Sequence, residues 1–99
     1  MRPIHLARLD KSRPVVVLTR ELVRPHLTRV TVAPVTSTIR GLSTEVAVGP
    51  ANGLERRCVI SCDDIVTVPS AALGRPLGYL LPAQEAELAA AIRAAFDLD

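Results

Sequence analysis

With 99 residues, 48% of them apolar and Tyr79 and Phe96 the only aromatics, the chain is expected to fold as one domain, residues 1–99, around a small aliphatic core; a chain of this size buries only about 60–70% of its unfolded surface. The formal net charge of +2 conceals an asymmetry, because residues 1–57 hold ten basic and four acidic side chains whereas residues 58–99 hold two and six. The basic part is almost wholly arginine, whose planar fork suits a polyanion, although scattered solvated arginines would give the same count. Arg8, Asp10 and Lys11 interrupt the first residues, and no apolar run approaches the roughly 20 needed to cross a bilayer. Neither a secretory leader nor a membrane span is therefore expected, and the cytoplasm is the expected compartment.

Ile4 to Leu9 reads as a first short strand, closed by the polar turn Asp10, Lys11, Ser12. Arg13-Pro14 then opens Val15 to Leu18, whose consecutive β-branched residues favour a strand buried on both faces. Thr19 to Leu27 is expected to be a connecting loop with a helical start that Pro25 cuts short. Thr28 to Val35 alternates as a strand does, and Pro34 near its end implies an edge position or a bulge. Ser37, Thr38, Ile39, Arg40 and Gly41 form a hydroxyl-rich turn before a further strand, Thr44 to Val48, and Gly49-Pro50 and Asn52-Gly53 punctuate the loop that follows.

Cys58 to Val68 is strand-like at both ends, with Asp63-Asp64 between them, a pair of carboxylates that asks for a reason. On a continuous strand Cys58 and Cys62 would lie roughly 13 Å apart, beyond the roughly 7 Å limit for a disulfide, so both are expected to be thiols. Their spacing supplies no metal-ligand set either. Pro69 to Gly74 reads as a turn and Pro76 to Leu81 as the last strand, with Tyr79 packed in the sheet. After Pro82, Leu88, Ile92 and Phe96 recur at the spacing of one helix face. The fold class that results is mainly β: a small twisted antiparallel sheet, or partly open barrel, with a C-terminal helix packed on it.

No Gly-rich phosphate loop, zinc cluster or Ser/His/Asp arrangement can be assembled, and His5 and His26 are expected on a surface strand and loop. Neither a metal nor a cofactor is expected. Arginine, carboxylate and hydroxyl groups remain, a set sufficient to cleave RNA by its own 2′-hydroxyl: that reaction needs a proton acceptor, positive charge on the developing phosphorane and a proton for the leaving oxygen.

The runs RPVVVLTRE, RVTVAPVTSTIRGLSTEV and CVISCDDIVTVPSAALGRPLGYL resemble the MazF/PemK family of toxin endoribonucleases, from Arg13 to Leu81 and more loosely into the helix. The resemblance implies an SH3-like partly open barrel that works as a homodimer, whose groove takes either single-stranded RNA or the disordered tail of an acidic antitoxin. It implies catalytic roles for Arg13 on the scissile phosphate, for Thr36 as a hydrogen-bonding partner, and for Asp63 in proton transfer. Ser37, Thr38 and Arg40 are expected to contact RNA. Two departures stand out. Between the first strand and Arg13-Pro14 only Asp10, Lys11 and Ser12 remain of a loop that is long in relatives, and Ser61 and Val66 stand where relatives carry arginine. The identity of the base is thereby put in question. A gyrase-poisoning toxin of the related CcdB type and a non-catalytic small-barrel RNA binder are the alternative readings.

Overall fold

The computed structural model describes residues 1–98. Its strands are β1 (Pro3–Arg8), β2 (Ser12–Val17), β3 (Arg29–Thr36), β4 (Glu45–Val48), β5 (Cys58–Ser61), β6 (Val66–Pro69) and β7 (Leu73–Tyr79), followed by the helix α1 (Pro82–Phe96). They form one antiparallel sheet in the order β4-β5-β3-β2-β1-β7, with β6 also paired to β3, and the sheet curls into a half-barrel with the helix on one side. No described helix is long and apolar enough to cross a membrane.

The three consecutive valines of β2 behave as a doubly buried strand must. Val16 points into the core shared with α1, alongside Ile4, Ile60, Leu80 and Leu88, while Val15 and Val17 point into a second core with Ala7, Val30 and Val32. Alternation across the pleat serves both cores from one run.

The centre of the sheet is β3, and it changes partner along its length. Arg29 to Val32 pair with β6, whereas Val35 and Thr36 pair with β5. Pro34 sits between those two ladders and is buried in a central strand, not at an edge. A proline is tolerated there because neither neighbouring ladder on that side asks for its missing N–H. The Cys62–Asp64 3-10 turn links β5 to β6 beside this gap and leaves the two adjacent carboxylates exposed between apolar strands.

Three other expectations need correction. The last strand begins at Leu73, so Gly74 and Pro76 lie inside it; β7 is an edge strand, and its register against β1 shifts at Pro76. Edge position and irregular pairing are the settings in which a strand accepts proline. Tyr79 is not packed in the sheet but is 49% exposed, and Phe96 is 55% exposed. The helix instead turns Leu88 and Ala91 inward, with Ile92 and Ala95 beside them, because small alanines let the helix approach the sheet closely. Pro82 occupies the first helical turn, where its missing N–H costs nothing, and Asp97 ends the helix in the left-handed region at φ 54°.

Candidate active site

The β2–β3 ladder runs from Val17 opposite Val32 to Val15 opposite Pro34, and there it stops. Pro14 on one strand and Pro34 on the other stand at that point, and neither has an N–H with which to continue. Beyond it β2 follows β1, Arg13 lying opposite Ala7, while β3 turns to β5, Thr36 lying opposite Val59. The two strands splay. Arg13 and Thr36 sit on the lips of the opening and line both clefts that flank it.

The larger cleft, about 520 Å³, has an apolar floor that includes Leu6, Pro14, Val35, Leu54 and Leu77. Its charged lining among the described residues is Lys11, Arg13, Arg56 and Arg75 against the one carboxylate of Glu55, and Ser37 opens onto it. The smaller, about 290 Å³, is lined by Thr38, Arg40, Glu45, Ser61, Asp63 and Asp64 as well as by Arg13 and Thr36. One side of the ridge is therefore cationic and the other rich in carboxylates. A polyanionic chain is attracted to the first, and the second offers the groups that can take a proton.

Individual side chains are held by local bonds. The Thr38 N–H donates to Thr36 Oγ1 at 3.1 Å, which commits one lone pair and leaves the Thr36 hydroxyl hydrogen for another acceptor. The Thr44 hydroxyl donates to Asp63 Oδ2 at 2.6 Å, and the Ser61 hydroxyl to Asp64 Oδ2 at 2.8 Å. Arg13 is mostly buried, its Nη2 lies 3.6 Å from Asp10 Oδ1, and its Nε has no hydrogen-bond partner among the described residues. The Nε is shielded from solvent, but the terminal Nη groups form no hydrogen bond among the described residues and are the donors left for an incoming anion. Neither histidine lines either cleft.

Arg13, Thr36 and Asp63 are brought to one cleft together with Thr38 and Arg40, while Ser37 is turned to the other side of the ridge. Lys11, Arg56 and Arg75 escaped the sequence reading as site residues. The doublet Arg56-Arg57 and Lys11 contributed to the charge asymmetry without being placed. Arg75 lies in the acidic part of the chain, and only the pairing of β7 with β1 carries it to the cleft.

Cys62 beside Asp63 is not a nucleophile for this site. Burial, and secondarily the neighbouring Asp63 charge, push its thiol from 9.0 up to about 11, and it is the thiolate that reacts. Because the folded value is the higher, the stabilisation is present below pH 9 and lost as pH rises through about 11: in that window the unfolded chain gives up its proton first. The stability difference between wild type and Cys62→Ala, followed by urea midpoints, is expected to shrink from pH 8.5 to about 11.

Comparison with known proteins settles the kinship. Residues 4–96 match the family described as PemK-like, MazF-like toxin of type II toxin-antitoxin system. The chain belongs to the PemK/MazF toxin family. It is 64% identical over 99 residues to endoribonuclease MazF3 of Mycobacterium tuberculosis, covering 100% of this chain and 96% of that one. It is 40% identical over 86 residues to the probable endoribonuclease MazF5 of the same organism, covering 86% and 79%. Among solved structures, the Mycobacterium tuberculosis toxin MazF-mt6 superposes with a TM-score of 0.97 at 63% identity, covering 99% of each chain. An endoribonuclease in complex with its cognate antitoxin from a mycobacterial species superposes with a TM-score of 0.87 at 26% identity, covering 98% of this chain and 93% of that one. The half-barrel with one C-terminal helix is the fold these PemK/MazF toxins share.

Proposed function

We propose that this PemK/MazF toxin is an endoribonuclease that cuts single-stranded RNA without a metal, by attack of a ribose 2′-hydroxyl on the adjoining phosphorus. The bond from phosphorus to the 5′ oxygen breaks, leaving a 2′,3′-cyclic phosphate and a 5′-hydroxyl, and translation and growth stop. The observation that carries this reading is the ridge formed where β2 and β3 splay, with Arg13 and Thr36 facing both clefts. Arg13 bears on the phosphate as a charge stabiliser, since a guanidinium does not surrender its proton. The Thr36 hydroxyl donates to a phosphate oxygen.

Asp63, on the carboxylate side of the ridge, takes the 2′ proton, and water in the open cleft protonates the departing oxygen. Asp10 is the competing base, because its carboxylate lies 3.6 Å from Arg13. The cationic cleft takes the RNA backbone through Lys11, Arg56 and Arg75 with Ser37, while Thr38 and Arg40 contact RNA on the other side. The names of the relatives favour the nuclease over the gyrase-poisoning reading.

The partners of this reading are a second copy of the chain, forming a homodimer, and an acidic antitoxin segment that is disordered until it binds. A cleft lined by four cationic side chains and one carboxylate suits such a segment as well as it suits RNA. The cytoplasm, where RNA and antitoxin are both made, is the compartment of action.

Incubation of the purified protein with a long single-stranded RNA in EDTA tests the reading directly. Discrete fragments with 5′-hydroxyl ends are expected, and a 2′-deoxyribose at the cleaved position should abolish the cut there. RNA left intact, or bound and left intact, would overturn it.

A further inference from the structure

Arg40 forms no side-chain hydrogen bond or ion pair among the described residues, yet it lines the carboxylate-side cleft together with Arg13 and Thr36. Its position is therefore set by its backbone. That backbone belongs to the turn between β3 and β4, which is tied at both ends. At the start, the Thr38 N–H donates to Thr36 Oγ1 at 3.1 Å. At the far end, three successive N–H groups converge on one side chain: Glu45 accepts from Arg40 at 3.2 and 3.3 Å, from Gly41 at 2.8 Å and from Leu42 at 3.1 Å. The Glu45 N–H closes the ring by donating to Leu42 O at 3.1 Å.

Consecutive amides aimed at one anion form a nest, and such a nest requires a change of backbone hand. Gly41 supplies it, at φ +76°. The carboxylate is thus an anion already bound within the protein, and charge-assisted bonds of this kind are about twice as strong as neutral ones. Glu45 is the first residue of β4, paired with Ser61, and the preceding Thr44 holds Asp63 through its hydroxyl. One short segment therefore anchors both Asp63 and the turn that bears Thr38 and Arg40.

We propose that Glu45 is a positioning residue for RNA binding: its carboxylate fixes the 38–42 turn so that Arg40 meets a phosphate flanking the scissile one. This rests on the endoribonuclease reading above. It makes a prediction of unusual sign. Removing a carboxylate from a cleft that holds RNA should, on charge alone, tighten RNA binding. If Glu45 acts through Arg40, Glu45→Ala loosens it.

The probe is a single-stranded oligoribonucleotide spanning a site that the wild-type protein cleaves in EDTA, with a 2′-deoxy form for equilibrium binding. Wild-type cleavage of that probe establishes the activity, so failure of the activity and failure of this inference are distinguishable. Arg40→Ala is expected to weaken binding about tenfold and to reduce the slope of log K against log salt by about 0.7, one single-strand phosphate contact. Glu45→Ala should do the same to KM and to the slope, with kcat changed less than about threefold, and the double variant should be no worse than Arg40→Ala alone.

Glu45→Gln keeps one acceptor oxygen for the amides of Gly41 and Leu42 and guards against a fold failure in the alanine variant. It should fall between wild type and Glu45→Ala in affinity, with its effect likewise absent in the Arg40→Ala background. Tighter RNA binding by either Glu45 variant, or losses that add to those of Arg40→Ala, would overturn the proposal.

Discussion

Arg13→Ala is expected to lower kcat/KM for RNA cleavage by about 100- to 1000-fold, a loss of about 2.7–4 kcal/mol of transition-state stabilisation, the size associated with removal of one oxyanion donor. The expectation follows from placement. The side chain lies where the β2–β3 ladder ends, it is shared by both clefts, and its terminal Nη groups form no hydrogen bond among the described residues. Lysine at this position supplies charge without the two-pronged donor and should restore only part of the rate. Thr36→Val removes a single neutral hydroxyl, and a loss of about tenfold is expected. The same assay assigns the base: the carboxylate that takes the 2′ proton is the one, Asp63 or Asp10, whose asparagine variant loses the acid limb of the pH–rate profile. Folded Arg13→Ala protein that cleaves RNA at the wild-type rate would remove Arg13 from the chemistry.

Arg13 and Thr36 were singled out through the family resemblance, and the physical part played by the prolines beside them emerges only in the fold. Arg13-Pro14 and Pro34-Val35-Thr36 look, in the sequence, like a strand start and a strand end with polar neighbours. In the fold they are opposite sides of one interruption, and each proline helps to stop the ladder that would otherwise close over the polar residues. The strands themselves were legible, because aliphatic β-branched runs bounded by turn residues have few other conformations to adopt.

Other features were hidden for physical reasons. Helix periodicity placed Phe96 inward with Leu88 and Ile92, but the alanines at 91 and 95 permit a closer approach, and the helix rolls toward them. Tyr79 looked like the aromatic of the sheet. Its place near the end of an edge strand leaves it half exposed. The cationic cleft was invisible for a different reason: Lys11, Arg56 and Arg75 are far apart in the chain, and charge counting locates no residue. Glu45 gave no signal at all, since a carboxylate that binds three amides of its own turn has the same sequence context as a solvated one.

The cationic cleft also depends on a contact that side-chain reasoning does not reveal, and Gly78→Ala is expected to break it, at about 3 kcal/mol or more. Gly78 lies in β7 opposite Ile4, next to the register shift that precedes the His5–Pro76 pair. A methyl group there would come within 2.7 Å of the Asn52 carbonyl carbon and closer still to its oxygen, so backbone would meet backbone with no flexible side chain to yield. The loop bearing Asn52 would have to lift from β7. Lifting it strains a buried polar cluster, in which Asn52 Nδ2 donates to Tyr79 O at 3.0 Å, the Gly49 N–H donates to Asn52 Oδ1 at 3.1 Å, and Gln84 of α1 bonds to Asn52, the Leu81 N–H and Ala47 O. Asn52 is 2% exposed, and each buried polar group left unpaired costs about 1–3 kcal/mol. Against a total of about 5–15 kcal/mol for an ordinary domain, that is a large share.

Gly41→Ala is the contrasting substitution, because at Gly41 the space is open and only the left-handed backbone is at stake, so about 1–2 kcal/mol is expected. Urea denaturation ranks the two, and a Gly78→Ala midpoint equal to that of wild type would show that the loop yields without cost. Because Gly53, Leu54, Glu55 and Arg56 follow Asn52 directly and form one wall of the cationic cleft, any folded Gly78→Ala protein should also bind RNA more weakly, while Arg13 and Thr36, held by β1–β2 and β3–β5 pairing, keep their places.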